Sequence, residues 1–242
     1  EMAADLRSGY GAYYCCPPKD YDKWRSLVRT YVQHYAEKYG KEEVGKWYWE
    51  IWNEPDLWWQ TWKVKEKDAG ADEYMKMYDY AAAGITDVLG DKALLGSPAI
   101  AGYPRDYSKR LLEHCTKAAN NVTGKAGSPL NILTHHCYGS PLEQMAKLYA
   151  AKQLLDAYAP GRDVEIHVTE YAPTIWGRSF GTRYQAASLC QAIDAYAYAR
   201  LADDAKLAGL YWFGLMRVFS PDCDAYFIEP RPKTNMQVTT LF

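Results

Sequence analysis

Stretches with helical apolar spacing alternate with short β-prone runs about every 40 residues along this chain. Trp24, Leu27, Val28, Tyr31 and Tyr35 follow the i, i+3, i+4, i+7 rhythm of an amphipathic helix, with Asp20 as its cap and Gly40 as its stop. A second helix is predicted over 72–89, with Asp72 before it and Gly90 after it, and a third over 105–119. The fourth opens at Ser140-Pro141, where proline suits the first helical position, and closes near Pro160-Gly161. Ala186, Leu189, Cys190, Ile193 and Ala197 mark a fifth. Between these lie apolar runs at 46–52, 93–99, 130–135, 164–169 and 207–213, with a further candidate at 9–14. Alternation of this kind predicts parallel strands joined by helical crossovers rather than separate layers of strands and helices.

Two of the runs deliver a carboxylate to their carboxyl end. Tyr48-Trp49-Glu50-Ile51-Trp52 is rich in strand formers and passes straight into Asn53, Glu54 and Pro55. Val164-Glu165-Ile166-His167-Val168-Thr169 is β-branched and delivers Glu170. A single Glu beside a Pro reads as a solvated loop residue; two in the same context read as chemistry. Only a fold that gathers successive strand ends brings such distant acids together, and the (β/α)8 barrel keeps its active site at that face. The expected class is therefore α/β, a TIM-type barrel. At most six strands are found, and about 45 residues precede the first carboxylate strand, too few for three βα units. The barrel is expected to be incomplete, with 1–242 a single catalytic domain, no second domain, and a further polypeptide segment closing the sheet.

Composition removes other classes. With 24% charged residues and a net charge of −2, the chain offers no electrostatic footprint for nucleic acid or an anionic membrane. No stretch approaches the roughly 18 apolar residues of a membrane span, and residues 1–20 show no basic segment followed by an apolar one. Gly9-Tyr10-Gly11 lacks the third glycine of a dinucleotide fingerprint, since position 14 is Tyr. His135-His136-Cys137 is no metal set, because strand alternation turns neighbouring side chains to opposite faces. Neither metal nor cofactor is expected. The sequon Asn121-Val122-Thr123 and an even count of six cysteines lean toward a secreted or periplasmic location.

Ile51-Trp52-Asn53-Glu54-Pro55-Asp56 and His167-Val168-Thr169-Glu170-Tyr171, in that order, resemble the acid/base and nucleophile strands of clan A glycoside hydrolases. Within the clan the chain is most similar to glycoside hydrolase family 39, which includes β-xylosidases and α-L-iduronidases. The similarity runs from about Pro17 to Phe213, as though the chain began near the third barrel strand and ended after the eighth. The resemblance implies a retaining glycosidase, in which two carboxyl groups about 5–5.5 Å apart act as proton donor and nucleophile. Glu54 would be the acid/base and Glu170 the nucleophile. The acid must be protonated before it donates, and apolar Trp surface with a second carboxylate nearby favours that form; Trp49, Trp52, Trp58 and Trp59 are candidates for it.

The same resemblance gives Asn53 a bond to the sugar 2-hydroxyl, places His136 and Tyr138 at the mouth, with Tyr138 bonding the nucleophile, and makes Trp212 the aromatic floor. Each has a plainer alternative: Asn53 as a turn-former, Trp212 as core. Tyr and Trp, at 22 and 9 residues, present flat faces that suit sugars. Trp58, Trp59 and Trp62 are expected near a leaving-group sugar and Trp176 on the opposite lip. The expected substrate is an oligosaccharide or glycoside with a terminal β-linked sugar, a β-D-xyloside first. A uronate would call for a cation, for which Arg178, Arg183 and Arg217 are available. The competing expectation is a carbohydrate-binding barrel fragment, or pseudoenzyme, without turnover.

Overall fold

The computed structural model describes residues 15–57, 61–64, 69–172, 182–202 and 206–212, excepting the side chains of 182–189, 201 and 212. Helices α1 (Tyr21–Tyr39), α2 (Lys41–Val44), α3 (Gly70–Leu89), α4 (Asp106–Thr116), α5 (Pro141–Tyr158) and α6 (Thr182–Ala202) alternate with strands β1 (Tyr48–Glu50), β2 (Leu94–Ile100), β3 (Ile132–Tyr138), β4 (Glu165–Ala172) and β5 (Leu207–Trp212). The strands are parallel and follow sequence order, β1-β2-β3-β4-β5. This is the predicted α/β architecture, part of a barrel sheet. Two compact units are present, one of Glu1–His135 with Gln153–Glu165, the other of His136–Lys152 with Ile166–Phe242.

In the first unit, α1 starts and stops on the predicted residues. Asp20 is extended and accepts from the Lys23 amide at 3.0 Å, and Gly40, at φ 89°, returns its amide to the Ala36 carbonyl. Helix α1 packs closely on α3 because Gly84 has no side chain: a Cβ there would lie 2.7 Å from the Arg25 carbonyl. Arg25 clamps Asp87 of α3 with two bonds, at 2.7 and 2.8 Å. Asp72 is not the cap of α3, as the helix begins two residues earlier; it sits in the first turn and pairs with Arg110 of α4 at 2.9 Å. Helix α4 is shorter than predicted and ends at Thr116.

Strand β2 runs from Leu94 to Ile100, but its register against β3 shifts between Ser97 and Ile100. Pro98 has no amide to contribute to the ladder, and Ala99, at φ 51°, turns its own amide to the Thr134 hydroxyl at 2.7 Å.

A buried carboxylate ties α3 to α4 and the following loop. Asp79 is fully buried and accepts from His114 at 2.9 Å, from the Ser128 hydroxyl, and from both the amide and side chain of Asn121 at 2.7 Å. Burial alone would raise its carboxyl; these donors outweigh it and hold the group below the ordinary carboxylate range. Asp79→Ala removes the acceptor its donors share and is expected to cost about 3–5 kcal/mol. A depressed folded-state value stabilises the fold above the ordinary carboxylate range and ceases to do so as pH falls through the folded value. In urea melts, the stability gap between wild type and Asp79→Asn should therefore stay wide from pH 7 down to about 4 and narrow below it. Parallel curves down to pH 2 would contradict this assignment.

In the second unit, the start of α5 is a capping box: Ser140 receives the Glu143 amide, and the Glu143 carboxylate returns to the Ser140 amide at 2.7 Å. Tyr171 of β4 packs against Tyr196 of α6, with ring centroids 5.9 Å apart. Alternation then turns Glu170 to the opposite sheet face from Tyr171. Among the described residues, Cys15, Cys16, Cys115, Cys137 and Cys190 form no disulfide, and no helix is long and apolar enough to cross a membrane. Burial pushes the Cys137 thiol up to about 11 and the Cys115 thiol to about 12, which leaves both as unreactive core. Cys190 is only partly buried, so the core placement its spacing suggests is incomplete.

Candidate active site

Strand β1 ends sooner than its apolar run suggests. Regular pairing stops at Glu50, because Trp52 and Glu54 lie in the left-handed region, at φ 74° and 51°. That conformation is costly for residues with a side chain, about 1–3 kcal/mol each, and persists only where surroundings impose it. The chain still follows β2: the Ile51 amide bonds the Gly96 carbonyl and the Glu54 amide the Ala99 carbonyl, both at 3.0 Å. Thr61 donates its hydroxyl to the Glu54 carbonyl, and its own carbonyl accepts the Trp52 indole at 3.0 Å. The resulting turn presents Asn53 exposed and Glu54 half-buried, just past the strand end.

The Trp residues around this turn divide. Trp52 meets Trp62 edge to face at 5.3 Å. Trp62 is 1% exposed and gives its indole to the Gly70 carbonyl at 2.8 Å. It is core, and the expectation that it reaches a sugar is corrected: the apolar ring is held beneath α3, packed on Tyr74. Trp49 points instead to an aromatic group with Trp47 and Tyr31. Trp58, Trp59 and Trp176 lie outside the described residues, as do Arg178 and Arg217 and the side chain of Arg183.

The second unit holds the other carboxylate. Strand β3 runs on past the apolar run through His135, His136 and Cys137 to Tyr138, and the Gly139 amide just beyond it bonds the Ala172 carbonyl of β4 at 3.1 Å. His136 and Tyr138 share one face by alternation, and both reach Glu170. The Tyr138 hydroxyl donates to Glu170 Oε2, and His136 Nδ1 lies 3.5 Å from the same oxygen. His136 is buried, whereas the Glu170 side chain is 23% exposed, so the carboxylate is anchored from behind and open in front. Lys147 of α5 donates to the His136 carbonyl at 3.2 Å, and Gln144 to the Gly139 carbonyl at 3.0 Å, which fixes the end of β3. The register pairs Trp212 with Tyr171, one residue past Glu170, and the Trp212 side chain lies outside the described residues. Sequence reasoning assigns no role to Asp56, the acid two residues beyond Glu54, although it closes the Ile51–Asp56 motif at that strand end.

Comparison with known proteins places this frame. The family model for glycosyl hydrolases family 39 matches residues 2–192. A β-xylosidase of Geobacillus stearothermophilus is 33% identical over 176 residues, covering 64% of this chain and 32% of that protein. Human α-L-iduronidase is 29% identical over 161 residues, 63% of this chain and 24% of its own length. Among solved structures, a family 39 β-xylosidase from Caulobacter crescentus covers 88% of this chain and 42% of its own, with a TM-score of 0.66 at 21% identity. The family 39 enzyme of Xanthomonas axonopodis pv. citri gives 0.68 at 22% identity over 87% of this chain and 41% of that one. The chain thus spans about a third or less of the curated relatives it matches. With a family match that takes in most of its length, and parallel βα units shared with solved members, the chain belongs to glycosyl hydrolases family 39.

Proposed function

We propose that this chain carries the catalytic carboxylates of a retaining glycoside hydrolase that removes a terminal β-linked sugar, a β-D-xyloside first. Glu170 is the nucleophile and Glu54 the acid/base. The observation that carries this reading is the fixing of Glu170 at the end of β4 by Tyr138 and His136. A nucleophile must present one oxygen to the anomeric carbon along a defined line, and two groups on the other oxygen hold that orientation. In the first step Glu54 protonates the leaving oxygen while Glu170 forms the glycosyl-enzyme ester; in the second, Glu54 takes a proton from water, which cleaves that ester with net retention. Asn53, beside the acid, is suited to the sugar 2-hydroxyl, and Trp212 to the sugar's apolar face. Trp58 and Trp176 remain subsite candidates by position in the sequence alone.

Two β-xylosidases, from Geobacillus stearothermophilus and Caldicellulosiruptor saccharolyticus, are 33% and 35% identical to the chain; the human iduronidase is 29% identical. This ordering supports a xyloside over a uronide. The second reading is a carbohydrate-binding barrel that holds sugar without turnover. Hydrolysis of aryl β-xylosides by the chain, and by any longer form of the protein, separates the two. Release of the aryl alcohol supports the hydrolase; no release, with xylose still raising Tm, supports binding alone.

A further inference from the structure

We propose that Asp56 is a positioning residue for Glu54: it pins the turn that carries the acid to the loop after β2. This rests on the reading of Glu54 as the acid/base. The turn from Ile51 to Leu57 contains two side-chain-bearing residues at positive φ, and does not hold that shape unaided. Its entry is fixed at the Ile51 carbonyl, which accepts from the Ser97 hydroxyl at 2.6 Å and from the Tyr74 hydroxyl at 2.9 Å. At Glu54 the amide is tied to the Ala99 carbonyl. The exit is fixed by Asp56, whose two oxygens are used separately: Oδ1 accepts the Ala101 amide at 3.0 Å and Oδ2 the Gly102 amide at 2.8 Å.

The receiving loop is shaped for this carboxylate. A Cβ on Gly102 would stand 3.0 Å from Asp56 Oδ2, tighter than ordinary contact, so glycine lets the amide come to bonding distance. Two consecutive amides on one carboxylate form a rigid fork, and a bond to an ionised acceptor is about twice as strong as a neutral one. Burial, with a smaller push from the nearby Glu54 charge, holds the Asp56 carboxyl above its ordinary value, against the lowering by the Gly102 and Ala101 amides. Asp56 therefore sets where the Glu54 carboxyl sits without touching substrate.

The functional signature of such a residue differs from that of a general stabiliser. Proton donation limits the first step only when the leaving group is poor, so a misplaced acid harms poor leaving groups selectively. Measured on the full chain, Asp56→Ala should lower kcat/KM for a poor-leaving-group aryl β-xyloside by on the order of 10²-fold, with little change on an activated one. KM should change little on either. Asp56→Asn, which keeps one acceptor, should lose less. Gly102→Ala, which leaves the carboxylate in place but crowds it, should show the same leaving-group selectivity at smaller amplitude, and carries the test if Asp56→Ala does not fold. In the Glu54→Ala background, Asp56→Ala should add no further selective loss. Losses equal on both substrates, or a selective loss that persists without Glu54, overturn the positioning role. A Glu54→Ala variant without leaving-group selectivity, or a wild type without turnover, overturns the acid/base reading itself.

Discussion

Glu170→Ala is expected to reduce turnover of every β-xyloside, activated or not, by on the order of 10⁴-fold or more. The covalent step has no other carboxylate of the same orientation: Glu170 alone is held by the Tyr138 hydroxyl and faced by the His136 ring among the described residues of its unit. A leaving group that needs no proton still needs a nucleophile, so changing the aglycone should not rescue the variant. The fold should survive. The Glu170 side chain is 23% exposed, so truncation opens no core cavity, and loss of the hydrogen bond from Tyr138 costs about 1–3 kcal/mol. Steady-state kinetics on a leaving-group series, with thermal melts, check both statements. Turnover within tenfold of wild type would remove Glu170 from the chemistry.

Glu54→Ala should give a different pattern. Aryl xylosides with poor leaving groups are expected to slow by roughly 10²–10⁴-fold, the range for general acid catalysis, whereas strongly activated ones should keep their rate of bond cleavage. For activated substrates the second step then becomes limiting, since no base assists water, and kcat and KM should fall together. Glu54→Gln, which keeps the size of the side chain in its left-handed position, should behave alike. Equal losses across the leaving-group series would count against the acid role.

The helical frame was readable from the chain because local physics decides it. Asp20, Gly40 and Ser140-Pro141 mark helix ends by hydrogen bonds made within a few residues, and the structure uses them so. Strand ends were less readable. Trp52 looks like one more strand residue, yet its backbone turns left-handed because Ser97, Tyr74 and Ala99, all distant in sequence, hold the segment.

At the candidate site, the two acids declared themselves by following β-prone runs; strand alternation allowed only one of the two histidines to face the site, and the family resemblance chose His136. Asp56 closes the same motif, but its role is set by the Ala101 and Gly102 amides, some 45 residues away in sequence, which close on its carboxylate. Asp79 was missed because a polar residue inside a helical pattern normally faces water; here it is surrounded by donors from α4 and the loop beyond. Trp62 was misjudged by its nearness in sequence to Glu54, when its indole bonds Gly70 beneath α3.

The central claim is that Glu170 forms a covalent bond to the sugar. A 2-deoxy-2-fluoro β-xyloside with an activated leaving group slows the second step more than the first, so the glycosyl-enzyme should accumulate and be visible by intact mass, followed by peptide mapping. One fluoroxylosyl adduct per chain, on the peptide that contains Glu170 and absent from Glu170→Ala, is the predicted result. An adduct on another residue, or turnover with inversion and no adduct, would contradict it.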